Sequence, residues 1–135
     1  MSRRLLTLSA IALLAAAALA PVANAEERPP AGKDNCFYLR DWEGWKSPSP
    51  NVIYLRVGAD RIYRFDLADN SPQLSYADAR LVNGHQYSPW ICSPQDLFLT
   101  LTLVNQPGFA EHLFVRSITR LSPDEVAAIP AKFRP

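Results

Sequence analysis

Two cysteines and two histidines carry most of the chemistry that the side chains of this 135-residue sequence could do. Cys36 and Cys92 can form a bridge, act as a redox couple or serve as metal ligands. Neither sits in a C-x-x-C pair, and a metal site would need more ligands than the surrounding sequence provides. His85 and His112 are the side chains that ordinarily titrate near neutral pH. Both fall in polar stretches without H-E-x-x-H or H-x-H spacing, so they read as solvated loop histidines. If a small hydrolase-like enzyme were built here from dispersed residues, His85, His112, Asp66 and Asp96 would be its first candidates. No G-x-S-x-G turn marks a serine nucleophile. The expectation is therefore a chain with no catalytic, metal or cofactor set, more a binding or structural module than an enzyme.

A second group of residues could recognise a partner instead of transforming one. Trp42, Trp45 and Trp90, with Tyr38, Tyr54 and Tyr87, bring large amphipathic rings close to turn residues. Arg40, Arg56, Arg64, Arg116 and Arg120 recur on or beside expected strands, where several on one face could grip carboxylates or phosphates. Trp42, Trp45, Trp90, Arg40 and Arg116 form the candidate binding surface. The competing reading packs Trp42 and Trp90 beside a disulfide and spends the arginines on cross-strand ion pairs with acids such as Asp41, Asp66 and Asp124.

The compartment decides what the cysteines do. Arg3 and Arg4 open the chain, the 16 residues from Leu5 to Ala20 are almost wholly apolar, and Pro21 precedes Ala23-Asn24-Ala25. A basic start, an apolar core too short for the roughly 20 residues of a membrane span, and an A-x-A site read as an export signal over 1–25 cleaved after Ala25. No cysteine stands at the cleavage region for lipid attachment, and the twin arginines leave the choice of export route open. The expected location is the periplasm or the medium, with no membrane span after cleavage. An oxidising compartment favours pairing Cys36 with Cys92. Of the 14 basic and 13 acidic residues, the signal carries two arginines and no acid, leaving 12 against 13. That balance gives no electrostatic case for nucleic acid.

The elements that would position these groups are mostly strands. Residues 26–35 are polar and Pro-containing and read as a disordered leader, followed by a single β-rich domain over 36–135. Cys36 to Leu39 starts a short strand or turn, and Trp42 to Pro50 reads as turn and loop. Val52 to Val57, a turn at Gly58-Ala59-Asp60, and Arg61 to Leu67 read as a β-hairpin with Tyr63, Phe65 and Leu67 inward. Leu74, Ala77 and Leu81 suggest a short helix or irregular turn within 73–82. Residues 97–104 alternate leucines with other side chains in strict period two, a strand with a leucine face inward, and 113–118 reads as its antiparallel partner. Ser122-Pro123-Asp124-Glu125 is a helix start, with Ser122 as cap and Glu125 answering it, and Pro130 ends a short C-terminal helix. The fold class is mainly β, an antiparallel sheet, sandwich or open barrel with that helix; α+β is the alternative. The expected core is Val52, Ile53, Tyr54, Leu55, Tyr63, Phe65, Leu97, Leu99, Leu101, Leu103, Val115 and Ile129.

Several stretches together resemble a known family. They are Cys36-Phe37 with Arg40-Asp41, the hairpin from Val52 to Leu67, Ser88-Pro89-Trp90-Ile91-Cys92-Ser93, and Val115 to Leu121 running into Ser122 to Pro130. Over nearly all of the chain beyond the signal they resemble the domain of unknown function 6491 family, uncharacterised bacterial exported proteins. The resemblance implies export but no reaction and no catalytic residues. Many members carry a second cysteine pair at the positions of Ser71 and Leu113. Its joint absence here implies that those two positions bridge each other and that Cys36 pairs with Cys92. The function expected is a disulfide-bonded envelope module that binds an unidentified partner or ligand or plays a structural part. The small enzyme is one alternative, and a thiol-disulfide redox role for Cys36 and Cys92 is another, which a stable bridge would oppose.

Overall fold

The computed structural model describes residues 36–84 and 89–135. The expected signal peptide, the leader and part of the loop around His85 lie outside the described residues. In chain order the strands are β1 (Phe37–Tyr38), β2 (Trp42–Ser49), β3 (Val52–Val57), β4 (Arg61–Leu67), β5 (Ala79–Asn83), β6 (Trp90–Ile91), β7 (Leu99–Leu103), β8 (Gln106–Leu113) and β9 (Val115–Arg120), followed by helix α1 (Pro123–Ala128).

The hairpin legible in the sequence is β3–β4, and its turn uses Gly58 at φ +62°, in the left-handed region that glycine enters without a Cβ penalty. Alternation sorts the side chains: Ile53, Leu55 and Val57 share a buried face with Tyr63, Phe65 and Leu67. β2 adds to one edge and β9 to the other, making an antiparallel sheet of order β2-β3-β4-β9. A second antiparallel sheet has order β5-β7-β8, and β1 pairs with β6 as a two-stranded ribbon. The fold is mainly β with one short helix, and no closed barrel forms among the described residues.

One residue joins the two larger sheets. β8 ends at Leu113, which is buried, and β9 begins at Val115; Phe114 between them is 68% exposed and its carbonyl accepts from the Ala68 N–H at 2.7 Å. The chain thus leaves one sheet and enters the other almost without a loop. Leu99, Leu101 and Leu103 of β7, Ala79 of β5 and Leu113 then join the inner face of the hairpin in one contiguous core. Phe37 of β1 enters the same core with its ring centroid 4.8 Å from that of Tyr63. Full burial of an apolar side chain of this size contributes roughly 1.5–3 kcal/mol, so this shared core is the main term holding the sheets together.

Tyr63 is the largest fully buried side chain, and its hydroxyl has no hydrogen-bond partner among the described residues. A buried unpaired hydroxyl costs about 1–3 kcal/mol of desolvation. Tyr63→Phe is therefore expected to raise the thermal midpoint by a few degrees in a melt followed by circular dichroism. A drop would show that the hydroxyl is bonded.

Four expectations need correction. Residues 42–50 are no loop: β2 runs through Pro48 to Ser49, because it is the sheet's edge and has register shifts at Trp42/Gly44 and Lys46/Ser49 that accommodate residues unable to serve a central ladder. Residues 73–82 hold no α-helix; a 3-10 turn at Pro72–Ser75 buries Leu74, and Ala79–Asn83 is strand β5, held by β7. The partner of β7 is β8, whose Gly108 at φ +93° lies beside a register shift, whereas Val115–Arg120 pairs with β4. Of the expected core, Tyr54, Leu97 and Val115 are only half-buried, and Phe37, Val57, Ile62, Leu67, Leu74, Ala79, Ile91 and Leu113 belong to the buried set as well.

The C-terminal start signal is realised as written. The Ser122 N–H donates to Glu125 Oε2 at 2.7 Å and the Glu125 N–H donates to Ser122 Oγ at 3.3 Å. The Leu121 N–H bonds the Ile62 carbonyl at 2.9 Å, fixing the segment to β4, and Ile129 is buried. Arg134 closes the helix end by donating to the carbonyls of Ala127 and Ile129.

Candidate functional site

The cysteines are where the sequence and the structure meet most closely. Cys36 and Cys92 form a disulfide across a sequence separation of 56 residues. The bridge sits at the end of the β1–β6 ribbon, in which Phe37 pairs with Ile91 and Tyr38 with Trp90. Alternation divides the ribbon: Phe37 and Ile91 enter the core, while Tyr38 and Trp90 turn outward. Trp90 remains 50% exposed and meets Tyr38 edge to face at a centroid distance of 4.9 Å. The Arg40 guanidinium lies 4.5 Å from the Tyr38 ring centroid, on the 3-10 turn that follows β1. Exposed Arg40 and Trp90, with half-buried Tyr38 between them, thus form a cation and aromatic face backed by the bridge. Three connections tie it down: the disulfide, the Leu39 N–H to Pro89 carbonyl bond at 2.9 Å, and the turn after Cys92.

That turn is built by Asp96. Its Oδ2 accepts from the N–H groups of Cys92 at 2.9 Å and Ser93 at 2.8 Å, and from Ser93 Oγ at 3.0 Å. The bond from the Cys92 N–H is the main reason that the Asp96 carboxyl is held below the usual carboxylate range, with Ser93 adding to it against the desolvation of burial. Asp96 is thus a structural clamp on the bridge.

The other candidates are dispersed. Trp42 and Trp45 of β2 face inward and pack against the core, away from the exposed face. Trp45 also lines a surface cavity at the far side of β2. Arg116 on β9 is exposed and donates to the Ala68 carbonyl at 3.2 Å, so it joins neither Arg40 nor Trp90. The candidate surface therefore contracts to Arg40 and Trp90, joined by Tyr38, which the sequence names among its amphipathic rings but not within the candidate surface. The signal for Tyr38 was the two-residue pairing of the ribbon, which only the Cys36–Cys92 link reveals.

Arg64 and Asp66 make the closest ion pair, 2.8 Å on one strand, and Asp66 also accepts from Ser117 Oγ at 2.9 Å. Burial works against ionisation of Asp66, but the hydrogen bonds from Arg64 and Ser117 and the charges of Arg64 and Arg116 outweigh it and hold the carboxyl below its ordinary value of 3.8. A carboxyl lowered in the folded state contributes stability above its unfolded value and loses it as pH falls through the folded value. Between pH 5 and pH 2.5 the thermal midpoint of the parent chain should therefore fall more steeply than that of Asp66→Asn. Parallel profiles would show that the pair is not formed in solution.

His112 lies exposed on β8, its Nδ1 3.2 Å from Thr100 Oγ1 on the neighbouring strand, and Asp66 is on the other sheet. His85 lies outside the described residues. Among the described residues no group of three or more His, Cys, Asp or Glu side chains is placed to hold a metal ion, and no helix is long and apolar enough to cross a membrane. No protein-family model, curated protein or solved structure matches the chain.

Proposed function

We propose that this chain is an exported, periplasmic module of the bacterial cell envelope that works by binding, not by catalysis. The export signal read over 1–25 and the likeness to the domain of unknown function 6491 family support the location. The observation that carries the binding reading is the exposed face of Arg40, Tyr38 and Trp90 on a ribbon held by the Cys36–Cys92 bridge. An aromatic pair offers stacking area at little entropic cost, and the Arg40 guanidinium, with Asp41 3.7 Å away, adds hydrogen-bond donors that suit a polar or sugar-bearing envelope component.

Sedimentation of the purified chain with isolated cell envelopes tests the binding reading. The parent chain is expected to pellet with the envelopes, and the double variant Arg40→Ala and Trp90→Ala to lose at least five-sixths of the pelleted fraction while keeping its thermal midpoint. Equal pelleting of parent and variant would contradict a role for this face.

A further inference from the structure

The strongest unexplained feature lies away from the stapled ribbon, between the outer edge of β2, the 3-10 turn at Pro72–Ser75 and the C-terminal tail. A cavity of about 390 Å³ opens there. Lys46, Arg80 and Lys132 line it together with the rings of Trp45, Tyr76 and Phe133, and no carboxylate lines it. Residues 36–135 carry ten basic and ten acidic side chains, so three of the ten cations stand around one cavity in a domain of zero net charge. Elsewhere Arg40, Arg56, Arg61 and Arg64 have acids within ion-pair distance, whereas no carboxylate lies so close to Lys46, Arg80 or Lys132 among the described residues. A concave surface lined by one sign of charge focuses its field outward and raises the local concentration of counter-ions.

The cavity does not end at the cations. A second one of about 370 Å³ adjoins it, sharing Ser47, Ser75 and Phe133, and its remaining lining includes Pro48, Pro50 and Pro72. The three prolines contribute ring surface, and Phe133 stands where the two chambers meet. Together they make one groove with a cationic, aromatic end and an apolar, proline-lined end. Its size falls within the range of ordinary small-molecule sites, and its two ends call for different chemistry in one ligand.

We propose that this groove binds an anionic amphiphile, a phosphate or carboxylate head held among Lys46, Arg80 and Lys132 with an apolar chain laid along Phe133 and the prolines. The inference goes beyond the envelope-binding reading and does not rest on it, because it depends on neither export nor the ribbon face.

The test uses the full folded chain and isothermal titration with decyl phosphate below its micellar concentration. Inorganic phosphate supplies the head alone and decyl maltoside the chain with an uncharged head. Decyl phosphate is expected to bind at least tenfold more tightly than either. Lys46→Glu and Lys132→Glu, both at exposed positions, should each weaken it tenfold or more, and Arg120→Glu, an exposed cation outside the groove, less than twofold. All variants are compared at matched thermal midpoints. Phosphatidylglycerol vesicles separate the two sources of such a ligand: co-flotation assigns it to bilayer lipid, and binding of decyl phosphate without co-flotation assigns it to a free amphiphile. Equal binding of decyl maltoside overturns the anionic half, equal binding of inorganic phosphate overturns the apolar half, and no binding, or equal loss in Arg120→Glu, overturns the proposal.

Discussion

Replacing Cys36 and Cys92 together with serine is expected to destabilise the domain by about 4 kcal/mol and to lower its thermal midpoint by about 15–30 °C. The magnitude follows from loop closure. The bridge spans a separation of 56 residues that contains β2 through β5 and most of the four-stranded sheet, so cutting it returns a large entropy to the unfolded chain. A packing effect acts in the same direction. β1 and β6 have two residues each, too few to hold a ribbon by their own ladder, yet they deliver Phe37 and Ile91 into the core at 0% and 1% exposure. Urea unfolding of the oxidised parent, the reduced parent and the double variant measures the effect. A loss below about 1 kcal/mol would mean that the core alone fixes the ribbon, contrary to this account.

Phe65→Ala is expected to cost about 3–5 kcal/mol, comparable with losing the bridge. Phe65 lies in the middle of β4, fully buried, with Ile53 beside it on β3, Ile118 beside it on β9 and the Phe37 ring 6.3 Å away. Truncation there opens a cavity on β4, a central strand held by β3 on one side and β9 on the other, so the site can collapse only partly to fill it. Since domains of this size have a total stability of about 5–15 kcal/mol, combining Phe65→Ala with the cysteine pair should leave little folded protein at 25 °C. Trp90→Ala, at a half-exposed position outside the core cluster, should cost far less. If the two single substitutions unfolded at similar urea concentrations, the core place of Phe65 or the outward place of Trp90 would be misassigned.

What could be read in the sequence was whatever local pattern alone decides. The hairpin announced itself through two β-branched and aromatic runs around Gly58, and β7 through its alternating leucines, because in both cases one face is buried and the other is not. The helix cap at Ser122 and Glu125 is a contact between residues three apart and needs no tertiary information. The misreadings occur where tertiary pairing overrides local signals. Pro48 and Gly44 argue for a loop, yet β3 supplies a ladder whose edge tolerates both. Residues 79–83 have a helical look until β7 captures them as an edge strand. The transfer of the chain from β8 to β9 at Phe114 leaves no turn signal, so two strands in different sheets read as one.

The candidate site was legible to the same degree. The bridge was readable from the presence of two cysteines that allow one intramolecular pairing, and the cap residues from spacing. The exposed face was only half readable: residue type alone groups five aromatic and basic side chains, but Trp42 and Trp45 pack against the core and Arg116 sits on another strand. The cationic groove was not readable at all. Lys46, Arg80 and Lys132 are separated by 34 and 52 positions, and they converge only because the C-terminal tail returns to the edge of β2.

The central claim, an exported domain held by one bridge, is tested most directly by the intact mass of the full chain expressed in a bacterium and recovered from the periplasm, with and without reduction and thiol alkylation. The account predicts a chain beginning at Glu26, two hydrogens lighter than the dithiol form, which takes up two alkyl groups only after reduction. A chain that keeps residues 1–25, or one whose Cys36 and Cys92 alkylate freely in the native protein, would contradict it.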